Sequence, residues 1–381
     1  MQRTRAYRPL VGVVLAGLLL WFAAGVLHVV LSRAGTPPGL VGLLAPSTAM
    51  RGPAHILATA SFVGPESVAV FVVVLAVLAR PVLRARSAGA GARVLGVWFA
   101  AIVAGLAPVL VTTATALLRL DDSLLAREGW VTVLAYGYAE PLRTGCAWGL
   151  TYGWLVGLAA VALLRRDTRA PGGQRRPPQP RPAALVAGVV AGGLSALGWL
   201  LAAAADSQVV EALARLAPTT GRDPGTTLLL ELAWTLPVTT AAGRPFPLVL
   251  LSGVLVGVVV GALTWLAVRG TDRTARLLPF LCVWAAAVVG TGLGALPTAL
   301  AGHGFSPQGD ERWMTVQSLL RSPTDGGAAG ALGGWVPALA VLAVLAWLGR
   351  AAPVEDTPVE DAPTDPAPAP ADGAGDVSRP A

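Results

Sequence analysis

Two carboxylates stand in matching surroundings. Glu128 is followed by Trp130, Thr132 and Val133, and Glu311 by Trp313, Thr315 and Val316, with the same spacing. Two carboxyl groups brought into one cleft can divide acid and base work, one protonating a leaving group while the other activates water. A plainer reading needs no reaction: tryptophan at headgroup depth anchors a short amphipathic helix while the nearby carboxylate stays in water. That reading explains both residues of each pair, so we assign Trp130 and Trp313 as interfacial anchors and no residue as catalytic. His28, His55 and His303 lack metal-ligand spacing and fall at unrelated places, as expected of polar groups satisfied near helix ends. Cys146 belongs near the outer start of its helix and Cys282 near the inner start of its own, too far apart across the bilayer to pair, and they should be separate buried thiols. The chain contains no GxxxxGK[ST] phosphate loop, no strand-based dinucleotide loop and no aspartate-rich prenyl-diphosphate pattern, so neither cofactor nor metal is expected.

The elements that carry these residues are apolar helices. Of 381 residues, 54% are hydrophobic and 13% charged, the balance of a polytopic membrane protein rather than of soluble domains. A net charge of +7 would suggest nucleic acid in a soluble chain, but the arginines sit at the ends of apolar runs, where they act as topology signals. Eight spans are predicted, near 10–31, 63–79, 94–118, 144–164, 183–205, 247–268, 277–301 and 328–348. The first follows Arg3, Arg5 and Arg8; it is longer than a signal-peptide core and lacks a clear cleavage site, so it is read as a retained helix. Alternate loops, beginning with the N-terminus, hold sixteen arginines and two acids, Asp167 and Asp272. The opposite loops, with Glu66 counted among them, hold ten arginines and twelve acids. By the positive-inside rule the arginine-rich loops and both termini are cytoplasmic.

A stripe of glycines then organises the chain. Gly145, Gly149 and Gly153 recur every four residues and close on Trp154; Gly326, Gly330 and Gly334 repeat the pattern and close on Trp335. A third stripe comprises Gly253, Gly257 and Gly261. Such stripes let helix backbones approach closely where lipid supplies no hydrophobic drive. The first two are expected to pack helices within one chain. Residues that are not small repeat too. Leu44-Ala45-Pro46-Ser47-Thr48 with Arg51 and Pro53 matches Leu216-Ala217-Pro218-Thr219-Thr220 with Arg222 and Pro224, and Ala92-Arg93 before Leu95 matches Ala275-Arg276 before Leu278. The chain is therefore read as an all-α membrane protein of two four-helix repeats. Four spans per repeat is an even number, so the repeats run parallel about an axis along the membrane normal. The organisation is a first repeat at 1–168, a Pro/Arg linker at 169–182, a second repeat at 183–350 and a tail at 351–381 rich in Pro, Ala and acid, expected to be disordered.

The eight-span layout, with Arg80-Pro81-Val82-Leu83-Arg84 closing the second span and a tryptophan in the third, resembles the streptophobe family of hydrophobic actinobacterial membrane proteins. That family implies no activity. The doubled four-span layout is also similar to the PerM-type cell-division membrane proteins, which would imply an envelope role.

No charged residue falls near the middle of any predicted span, whereas ion-coupled pumps keep one at midplane. The expected function is thus a non-enzymatic, multi-pass plasma-membrane protein, an envelope-associated or accessory component. Its partners are the lipid bilayer and either another membrane protein or a second copy, with no nucleic acid. The alternatives are a permease or channel for a small or amphipathic solute, with Pro108, Pro237, Pro297 and Thr112, Thr113 and Thr115 lining a path between the repeats, and a membrane-embedded enzyme.

Overall fold

The structure is a computed structural model that describes residues 8–36, 40–41, 44–46, 65–85, 88–117, 140–167, 180–216, 246–271, 276–302 and 309–351. Among them all regular structure is helical: α1 (Arg8–Arg33), α2 (Pro65–Arg84), α3 (Ala90–Leu117), α4 (Glu140–Asp167), α5 (Arg181–Leu216), α6 (Phe246–Val268), α7 (Leu277–Gly294), α8 (Leu296–Gly302), α9 (Gly309–Gly333) and α10 (Trp335–Ala351). Seven stretches are long and apolar enough to cross a membrane, and an eighth forms if α9 and α10 count as one broken span. The glutamates and tryptophans weighed as outer anchors divide here. Glu128 and Trp130 lie outside the described residues; Glu311 and Trp313 belong to α9, which runs unbroken into the eighth span instead of forming a separate short helix.

Local chemistry sets where these helices end. α1 stops at Gly35, whose φ of 71° is the left-handed conformation that favours glycine. Its turn returns the Thr36 N–H to the Leu31 carbonyl at 3.1 Å, satisfying an acceptor the helix would leave open. α7 gives way to α8 around Ala295 because Pro297, lacking an N–H, cannot bond the carbonyl of Leu293. The sharpest break is the 48° bend between the segment Ser322–Gly333 and that of Trp335–Gly349. Pro337 sits four residues after Gly333, so its ring clashes with that carbonyl and removes one helical bond, while Gly334 N–H still reaches Gly330 O at 2.8 Å. The eighth span, predicted over 328–348, is therefore bent.

Packing separates central from peripheral helices. In α3, 61% of the apolar stretch is buried, and in the α7–α8 stretch 67%, against 22% in α1 and in α6. The peripheral helices turn Val11, Leu15, Leu19 and Phe22 of α1, and Leu251, Val254 and Val258 of α6, outward, the arrangement lipid requires. Helices α1 to α4 close a ring: α1 packs on α2 and α4, and α3 on α2 and α4. So do α5, α6, α7 and the α9–α10 pair, with α5 meeting α10. The rings meet through α3 on α7 and α4 on α9, and more lightly through α3 on α6 and α2 on α7. Exchanging the members of one ring for those of the other in chain order leaves this set of contacts unchanged.

Candidate functional site

The two glycine stripes lie at the centre of this arrangement. On α4, a Cβ added at Gly145 would come within 2.7 Å of the Leu106 Cα, one at Gly149 would strike the Ile102 Cα, and one at Gly153 would lie 2.7 Å from Trp98 Cδ1. Gly157 continues the line, 2.7 Å from the Val94 carbonyl. These distances leave no room for a side chain, so the α4 backbone rests directly on α3. The second stripe rests on α7 in the same way. A Cβ at Gly326 would strike the Thr291 carbonyl, one at Gly330 would lie 2.6 Å from the Val288 Cα, and one at Gly334 would lie 2.6 Å from Trp284 Cδ1.

The partners correspond as well as the glycines. Gly153 meets Trp98 and Ala101 as Gly334 meets Trp284 and Ala287, and Gly149 meets Ile102 as Gly330 meets Val288. Trp98 Nε1 donates to the Gly149 carbonyl at 2.8 Å, and Trp284 Nε1 to the Ala331 carbonyl at 3.0 Å. Sequence reasoning noted the tryptophan of the third span but gave neither Trp98 nor Trp284 a partner. The signal was present: each is followed by an alanine three residues on and a β-branched residue four on. This correspondence lies three residues out of register with the match of Ala92-Arg93 to Ala275-Arg276. The third stripe packs on α5, where Gly261 and Gly188 approach each other's carbonyls (a Cβ at Gly188 would lie 2.8 Å from Gly261 O) and Gly257 meets Gly192.

Apolar side chains make the contact between the rings. Phe99 lies against Trp284 with centroids 4.9 Å apart, and Leu95, Ala285, Leu281 and Val288 are buried in the same cluster. Both cysteines are free and buried; Cys282 Sγ lies 3.2 Å from the Ala92 carbonyl, joining α7 to α3. The hydroxyls divide: those of Thr291, Thr298 and Ser322 turn back to their own helices, whereas the buried oxygens of Ser195, Ser252 and Thr264 meet no hydrogen-bond partner among the described residues. Thr291 Oγ1 donates to Ala287 O at 2.7 Å and Thr298 Oγ1 to Ala295 O at 2.9 Å, so neither presents a donor to a solute path. Thr115 is exposed near the end of α3, Thr112 and Thr113 lie in the same helix, and Pro237 lies outside the described residues.

The first ring holds aromatic rings in sequence: Trp21 stacks on Phe71 at 5.0 Å, and Phe71 meets Trp148 edge-on at 5.3 Å. Two polar side chains there fasten the described part of the first connecting loop. His28 Nδ1 lies 2.7 Å from the Ala45 carbonyl, and the Tyr152 hydroxyl donates to the Leu44 carbonyl. His28 is thus a satisfied polar group near the end of α1; His55 and His303 lie outside the described residues. Among the described residues no group of three His, Cys, Asp or Glu side chains could hold a metal ion. No family model, curated protein or solved structure matches the chain.

Proposed function

We propose that this chain is a non-enzymatic, multi-pass plasma-membrane protein, built of two parallel four-helix repeats with both termini cytoplasmic, that serves as an envelope-associated or accessory component. The observation that carries the reading is the apolar contact between the rings. α3 and α7, the helices that would flank a central path, present Phe99, Trp284, Leu281, Ala285 and Val288 to the interior and no ionisable side chain at mid-depth. The doubled architecture is supported by the matched pairs Trp98–Gly153 and Trp284–Gly334 and by the exchangeable set of helix contacts. The envelope role follows the likeness to PerM-type proteins, and the cytoplasmic placement of the termini follows the arginine count.

Reconstitution tests the reading. Purified protein in sealed vesicles is expected to release or accumulate no trapped ion, sugar or amphipathic dye faster than empty vesicles. A saturable flux of any of these would overturn the scaffold role and select the permease. One observation favours that second reading: the eighth span is broken at Gly333 and Gly334, and broken helices form the binding sites of many transporters. Reporter fusions after Arg86 and Arg169 should read cytoplasm and one after Asp122 the outside; the reverse pattern would invert the assignment of faces.

A further inference from the structure

We propose that the arginine-rich end of the molecule binds an anionic phospholipid where the loop between α2 and α3 meets the loop between α6 and α7. The two loops are fastened together. The Gly89 N–H donates to the Gly270 carbonyl at 2.6 Å, and the two glycines face each other, each within 3.3 Å of a Cβ built on the other. This close approach draws four helix ends together: the C-termini of α2 and α6 and the N-termini of α3 and α7.

Two positive and two negative helix ends offset each other, which leaves the side chains to set the field. Those side chains are arginines. Among the described residues, these turns carry Arg80, Arg84, Arg93, Arg269 and Arg276 and no acid. Arg93 is engaged within the fold, donating to the Ala85 carbonyl at 3.2 Å and closing the end of α2. Arg80, Arg84, Arg269 and Arg276 are exposed. Arg269 stands over the Trp265 ring, 4.8 Å from its centroid, a cation–π contact that holds the guanidinium beside an aromatic ring suited to headgroup depth.

The surroundings select a lipid among anions. Leu266, 45% exposed, lies one turn before Arg269, and Leu277, 50% exposed, follows Arg276 directly. A ligand here meets guanidinium groups and uncovered apolar side chains together, which a phospholipid matches with a phosphate and an acyl chain and a free anion does not. Arg84, Arg269 and Arg276 receive the headgroup, and Leu266 and Leu277 flank the chain.

The test uses the full-length protein, delipidated in detergent and titrated with dioleoyl phosphatidylglycerol or dioleoyl phosphatidylcholine under native mass spectrometry. The phosphatidylglycerol is expected to saturate at a defined number of copies and the phosphatidylcholine to bind far more weakly. Removing two charges with R269Q/R276Q should weaken phosphatidylglycerol binding about 30-fold, at about 1 kcal/mol for each arginine. R8Q/R181Q, which removes two exposed arginines elsewhere, should leave it within about threefold. R269K/R276K, which keeps the charge, should also retain binding, and carries the test if the glutamine pair misfolds. Equal binding of the two lipids, equal loss in both glutamine pairs, loss in the lysine pair with the fold retained, or displacement of the lipid by excess inorganic phosphate would each overturn the site. None of these outcomes depends on which leaflet the arginines face or on whether the protein transports a solute.

Discussion

The fourth and eighth spans carry the same glycine stripe, yet one is a single continuous helix and the other is broken and bent by 48°. Aligned on Gly149 and Gly330, they differ at two informative places. Where α4 has Tyr152 and Val156, the eighth span has Gly333 and Pro337. The proline removes a helical bond and its ring displaces the Gly333 carbonyl, while Gly333, with no atom within 4 Å of its would-be Cβ, offers no packing to resist the turn. In α4 the tyrosine instead reaches the Leu44 carbonyl and fastens the first loop. One close contact between helices thus supports two outcomes, a continuous helix in the first ring and a broken one in the second.

The largest effect should come from forcing the first ring to imitate the second. Val156→Pro inserts a proline into a buried, continuous part of α4 and should cost about 3 kcal/mol or more, read as thermal unfolding in detergent. Pro337→Val should cost less than about 1 kcal/mol, because the bonds on either side of the bend are already made. If the two substitutions destabilise alike, the bend is set by packing and not by the proline.

Filling the stripes comes next. Gly149→Leu and Gly330→Leu each place a side chain against backbone that cannot retreat and should cost about 1–3 kcal/mol, while Gly193→Leu, at an open position, should leave melting unchanged. A loss at Gly149 alone would show that only the first ring depends on its stripe.

Smaller effects concern single hydrogen bonds. Trp98→Phe and Trp284→Phe each remove an indole donor to the partner helix and should lower stability by about 1 kcal/mol apiece. Equal losses would place the two bonds on the same footing despite the bend. Tyr152→Phe should leave global melting within about 1 kcal/mol while speeding hydrogen exchange at Ala45, whose carbonyl His28 still holds.

The approximate limits of seven spans were legible because runs of apolar residues 20 or so long report directly on a hydrocarbon layer, while the eighth counts only if its two bent segments are taken as one. The glycine stripes were legible as surfaces of close approach. Their partners were not, since a stripe says which face is thin but not which helix lies on it; that Gly149 meets Ile102 and Gly330 meets Val288 depends on how the rings close. The bend was readable in principle from Pro337 four residues after Gly333, a pair hidden inside an otherwise uniform run. The joining of Gly89 to Gly270 had no readable trace, because two glycines in separate loops carry no signal of each other.

That joint bears on how the chain could be divided. The rings touch along α3 and α7 and are pinned at Gly89 and Gly270, whereas the sequence that connects them, from Asp167 to Arg181, runs between the ends of α4 and α5. Holding the rings together is then the work of a surface, not of the covalent link. Two separately expressed fragments, cut within that connection, should find each other in the bilayer and co-purify.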